Sequence, residues 1–133
     1  MVRHSGENAS ESKVIRDIAE FGWHVVHIAA EDELVGCSFT IGLFQSYRHP
    51  ELIVFGLPHL ISHRILNIAA DFAKSGKPFD LSQPTTELIE DYACRLACVP
   101  QSEYREYVGY CRWYYEGNDF PLWQIVCKRL TGC

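Results

Sequence analysis

The chain has 133 residues, the length of one ordinary domain, since single hydrophobic cores serve roughly 100 to 200 residues. A composition of 47% hydrophobic and 13% aromatic residues can build a core, which excludes disorder as a description of the whole. Twelve Lys plus Arg against seventeen Asp plus Glu give a net charge of −5, which disfavours nucleic acid, because that affinity rests on neutralising phosphates.

Residues 1–10 mix Gly, Asn, Ser and Glu without periodicity and read as a disordered tail, leaving 11–133 as the domain. Val14, Ile15, Ile18 and Phe21 recur at helical spacing, with Ser10 or Ser12 as the cap and Gly22 as the stop. Trp23 to Ala30 is β-branched and aromatic, and Cys37 to Leu43 alternates apolar residues with Ser, Thr and Gly, so both read as strands. The acidic Glu31-Asp32-Glu33 joins them as a hairpin-like loop, and Phe44 to Pro50 reads as a polar and aromatic connection. Leu52 to Leu57 is apolar without alternation, as in a central strand buried on both faces.

Pro58 opens a helix with Ile61, Ile65, Ile68 and Phe72 as its apolar stripe, opposite His59, His63, Asn67, Asp71 and Lys74. Residues 77–91 fit either a helical turn or a strand. Cys94 to Val99 reads as a strand, Ser102 to about Tyr115 as a helix, and Pro121 to Leu130 as the last strand. The order predicts a single α+β domain, with a mixed or mainly antiparallel sheet of about five strands and helices packed on one side of it.

Six cysteines invite a disulfide framework, but Met1 to Lys13 is polar and lacks the apolar core of an export signal, and no stretch approaches the ~18 apolar residues of a membrane span. The expectation is therefore a cytoplasmic protein with reduced cysteines and no membrane contact. There is no C-x-x-C. On a strand, the closest pair, Cys94 and Cys98, would lie about 13 Å apart, too far for a disulfide or a shared metal.

Phe21-Gly-Trp-His-Val25, Ser38-Phe-Thr-Ile-Gly-Leu43, His49-Pro-Glu-Leu52, Phe55-Gly-Leu57, Tyr104-Arg-Glu-Tyr107-Val-Gly109 and Pro121-Leu-Trp-Gln124 occur in that order. Together they resemble the bacterial domain-of-unknown-function family 4262 over about Phe21 to Val126. The resemblance implies a mostly cytoplasmic single domain and no particular reaction. It also implies recurring polar positions at His24, Ser38, Thr40, His49, Glu51, Asn67, Tyr107 and Gln124. The chain departs from the family pattern at Cys127, where Trp is expected, and in stopping at Thr131-Gly132-Cys133, where a further tail is usual.

His24 and His27 point to opposite faces of a strand and do not share a metal. His59 and His63 have the i, i+4 spacing of H-E-x-x-H zinc sites, but Leu60 replaces the Glu, and a third ligand would have to come from His49 or Glu51. Two histidines on a polar helix face are otherwise simply solvated, so no metal and no cofactor is assigned. Cys37, at a loop-to-strand junction, is the one candidate thiol nucleophile, although it is in phase with Phe39 and Ile41 as a core residue would be. Neither a G-x-S-x-G elbow nor a phosphate-binding glycine motif is present.

Polar residues on apolar strands are the most suggestive feature. Ser38, Thr40 and Gly42 line one strand face with little bulk; Tyr47, Arg48, His49 and Glu51 follow; and Gln124 would be costly to bury without partners. These seven side chains form the candidate ligand-binding set: Ser38, Thr40, Tyr47, Arg48, His49, Glu51 and Gln124. The leading expectation is a binding module that recognises a protein partner or a small polar ligand through Ser38 to Glu51. The alternative is a small hydrolase or transferase using His49 with Glu51 or Cys37, metal-assisted through His59 and His63.

Overall fold

The computed structural model describes residues 2–30 and 35–130. The expected acidic loop at 31–33 and the terminal 131–133 lie outside the described residues. Helix α1 spans Ala9–Phe21 and starts earlier than the serines suggested, because Asn8 accepts from the Glu11 backbone N–H while the Glu11 carboxylate accepts from that of Glu7. Upstream, the Arg3 backbone N–H donates to the Tyr114 carbonyl and its guanidinium to that of Trp113.

Strands β1 (His24–Ile28), β2 (Cys37–Ile41) and β3 (Glu51–Phe55) form an antiparallel meander. A five-residue helix, α2 (Leu43–Tyr47), occupies part of the connection read as irregular. After α3 (His59–Ser75), residues 77–91 form turns, with one bridge from Thr85 to Cys94, and bury Leu88 fully. β4 (Tyr92–Cys98) leads into a 3₁₀ turn and two short helices, α4 (Tyr104–Tyr107) and α5 (Gly109–Tyr115), where one helix was expected. The break falls at Val108, whose ψ of 52° is not helical. β5 (Leu122–Arg129) runs parallel to β3 and antiparallel to β4, giving the sheet order β1-β2-β3-β5-β4. The sheet is mixed and five-stranded, as the pattern predicted.

Helices cover both faces of this sheet, not one. Strand alternation sends Val26, Phe39, Ile41, Ile53 and Leu122 to a core with α1, α4 and α5, and Leu52, Val54, Leu96 and Ile125 to a second core with α3. The buried stripe of α3 is also rotated from the one expected. Ser62, Ile65, Leu66, Ala69, Ala70 and Ala73 face the sheet, and Ile61, Ile68 and Phe72 sit at the margin. Three alanines in that stripe let the helix backbone approach the strands closely. No helix among the described residues is long and apolar enough to cross a membrane.

The expectation of reduced cysteines is overturned at one pair. Cys94 on β4 and Cys127 on β5 are directly opposite in the register, their Cα atoms 4.1 Å apart, and they form a disulfide. Spacing along the chain could exclude Cys94 with Cys98, but only the β4–β5 register reveals this partner. Cys37, Cys98 and Cys111 are free thiols.

Candidate functional site

The expected ligand-binding residues divide among several places. Thr40 and Glu51 are fully buried and meet each other. The Glu51 carboxylate accepts from the Thr40 hydroxyl at 2.8 Å, from the backbone N–H groups of Gly42, Leu43 and Phe44 at 2.9, 3.2 and 3.3 Å, and from the Tyr115 hydroxyl. Thr40 and Tyr115 themselves accept from the backbone of Leu52 and Gln45, which leaves their own hydrogens for Glu51. Five donors on two oxygens suit a carboxylate; a protonated acid would bring a competing hydrogen. Burial raises the Glu51 pKa, and the hydrogen bonds, led by that of Tyr115, pull it back. The group caps the first turn of α2, whose N-cap Gly42 has no side chain to do so.

Tyr47 packs edge-on against Trp23, and Arg48 lies over the Phe44 ring. His49 bonds through Nδ1 to the Pro50 carbonyl at 2.8 Å and packs edge-on against Phe79 and Trp123, and burial lowers its pKa. Gln124 lines a separate cleft of about 390 Å³ with Phe55, Glu103, Glu106 and Tyr107. Of the groups in the catalytic alternative, His49 bonds the Pro50 carbonyl while the Glu51 carboxylate is taken up by Thr40, Tyr115 and the start of α2. Cys37 pairs with Phe55, four positions and about 13 Å along β3 from Glu51. Burial also raises the Cys37 pKa, the opposite of what a nucleophilic thiol needs. His49 and Glu51 are both engaged away from α3, so neither completes the His59/His63 pair.

Ser38 leads to a site that the linear sequence hid. It lies opposite His27 in the β1–β2 register, and its hydroxyl is 2.7 Å from His27 Nδ1. The face that carries both is the one α3 crosses. There His27 stacks on His59 with centroids 3.8 Å apart, and its Nε2 is 3.3 Å from His63 Nδ1. The helical pair expected to be merely solvated thus meets a third imidazole from the neighbouring sheet. The signal available in the sequence was alternation: His27 shares a face with Trp23 and Val25, which must be covered by something.

Two open depressions meet at this corner. A cleft of about 950 Å³ is bounded by Ile28, Val35, Cys37, Ser38, Leu57 and Pro58, with His27 and His59 at its polar end. A groove of about 680 Å³ runs between α1 and α3 past the edge strand β1. In that groove Trp23 donates to Asn67 Oδ1 at 3.0 Å, and His24 Nδ1 lies 2.7 Å from Asp17. Burial, and then the neighbouring His59, His63 and His24, lower the His27 pKa to about 4, so its ring is neutral at pH 7.

An α+β domain with a mixed open sheet, helices on both faces and a histidine corner at its edge is thus the class that fold and site define. The chain belongs to the family described as "Domain of unknown function (DUF4262)", whose family model matches residues 17–133. No curated protein and no solved structure matches the chain.

Proposed function

We propose that this domain binds a small polar ligand in the cleft between the end of the β1–β2 hairpin and the start of α3. The observation that carries this reading is the Ser38–His27 pair, 2.7 Å apart, at the polar end of a cleft walled by Ile28, Val35, Leu57 and Pro58. An apolar cavity with a few convergent polar groups is the usual form of a small-ligand site. In this reading the Thr40–Glu51–Tyr115 knot holds the frame, and Ser38 is the member of the expected set that meets the ligand. A fragment screen by amide NMR tests it. Hits should perturb Cys37, Ser38, Gly56 and His59, and Ser38→Ala should weaken them about tenfold, the value of a hydrogen bond in a desolvated site. Hits confined to the Glu103, Tyr107 and Gln124 cleft, or hits indifferent to Ser38→Ala, would contradict it.

A further inference from the structure

We propose that His27, His59 and His63 form a proton-operated latch, which holds the first turn of α3 on the β1–β2 hairpin at neutral pH and releases it on acidification, together with one wall of the cleft. Its effect on ligand binding rests on the reading of that cleft as a binding site; the latch itself does not. Both ring nitrogens of His27 are engaged, Nδ1 with the Ser38 hydroxyl at 2.7 Å and Nε2 with His63 Nδ1 at 3.3 Å. A neutral imidazole meets two such partners by donating from one nitrogen and accepting at the other. A proton from solvent can enter only at the accepting nitrogen. There it makes a donor of the acceptor and breaks the bond, unless the partner turns its own hydrogen away.

The surroundings resist that added charge. The His59 ring centroid lies 3.8 Å from that of His27, and the His63 centroid lies 5.4 Å from His27 and 6.4 Å from His59, so charged rings here repel one another. The first turn of α3 holds no acidic side chain, and a positive His59 would oppose the positive end of that helix dipole. Across the groove α1 presents Lys13, Asp17 and Glu20, and α3 adds Lys74. Asp17 is already held by His24 of β1 at 2.7 Å and by Lys13 at 3.0 Å, and Glu20 is exposed to solvent. From β2 come only the Ser38 hydroxyl and the Cys37 thiol, which burial keeps protonated. Burial, and then the neighbouring imidazoles, thus hold His27 at about 4 while α3 is docked. In the released state the ring returns toward its ordinary 6.5. The latch is therefore closed above about pH 6.5 and weakens as the pH falls from there through about 4. Leu57, Pro58 and His59 bound the cleft, so its shape follows the first turn of α3.

The test is amide hydrogen exchange of the tag-free full chain, read as protection factors at pH 7 and pH 5, with imidazole ¹⁵N NMR alongside. A His27 pKa moving from about 4 to 6.5 on release would favour opening roughly twentyfold more at pH 5 than at pH 7, and solvent screening reduces this to about tenfold. Protection at Ser62, whose N–H donates to the Pro58 carbonyl, and at His63 and Arg64 should fall by that factor. It should stay below that of Val54 and Ile125, the mark of local opening rather than unfolding. The His27 ring should titrate with a midpoint well below 6.5. His27→Gln should shrink the fall to about twofold. His63→Gln, at an exposed helix position and with a carbonyl able to accept from a charged His27, should shrink it to about fivefold or less. Protection that does not change with pH, a turn that exchanges only with the whole molecule, or a fall unaltered by His63→Gln would each overturn the latch. Fragment hits in the cleft should weaken at pH 5 in step with the turn, and hits held equally at both pH values while the turn opens would overturn the coupling. An opening turn in a chain that takes no fragment at pH 7 would sink the cleft and spare the latch; fragments bound beside a turn indifferent to pH would do the reverse.

Discussion

At the scale of single residues, Glu51 carries the greatest structural weight. Its carboxylate joins β3, the start of α2 and the end of α5 through five donors. Glu51→Gln keeps the shape but turns an NH₂ toward those donors, and should cost about 3 kcal/mol in urea unfolding. Tyr115→Phe, which removes one donor and leaves the Gln45 N–H without its acceptor, should cost about 1–2 kcal/mol. His49 supplies a pH dependence. Its folded pKa lies below the unfolded value, so the stability it contributes is present above about pH 6.5 and is lost as the pH falls from there through the folded value. Wild type should lose stability more steeply than His49→Gln below pH 6.5, as read from paired urea melts.

The sequence singled out Thr40 and Glu51 as candidate ligand-binding residues, and the structure pairs them with each other inside the fold. Whether the partner is a ligand or the chain itself depends on Tyr115, 64 residues away, and no local pattern contains that information.

At the scale of elements, α2 illustrates the same limit. Its N-cap is Gly42, and the group that satisfies its first turn comes from the next strand, so the usual local start signals are missing. Gly42 has φ of +113°, and a Cβ there would stand 2.8 Å from the Gly22 carbonyl and 2.9 Å from Ile18. Gly42→Ala should therefore destabilise by about 2 kcal/mol, measured by denaturant unfolding. Helix α3 was recognisable in extent, but its buried face was misjudged, because isoleucines outweigh alanines in a hydrophobicity count although close packing prefers the alanines. In β4 and β5, peptide mapping should find Cys94 and Cys127 alkylated only after reduction. The bridge closes a loop with a sequence separation of 33, so reduction should cost roughly 3–4 kcal/mol.

For the whole molecule, the fold class was legible because β-branched and alternating runs, one continuous apolar run and the turn residues between them mark the five strands, although 77–91 fitted either a turn or a sixth. The number of covered faces was not. Ser38 and Thr40 read in the sequence as one low-bulk strand face with a ligand to meet, yet β2 is buried at every position, because α3 crosses that face and α5 packs on the other. That same crossing creates the histidine corner, which joins residues from β1, β2 and α3 and so has no signature in any one segment.

The pairing of His27 with Ser38 also bears on how the hairpin finds its alignment. Side chains alternate between faces, so a one-residue slip of β1 along β2 would push His27 into the apolar core beside Phe39 and bring Val26 out toward α3. An imidazole in that core would lose the Ser38 hydroxyl and the contact with His63. The correct alignment is thus the one in which the histidine ring is hydrogen-bonded, and the ring nitrogens of His27 report, by their NMR shifts alone, whether the first two strands have joined in register.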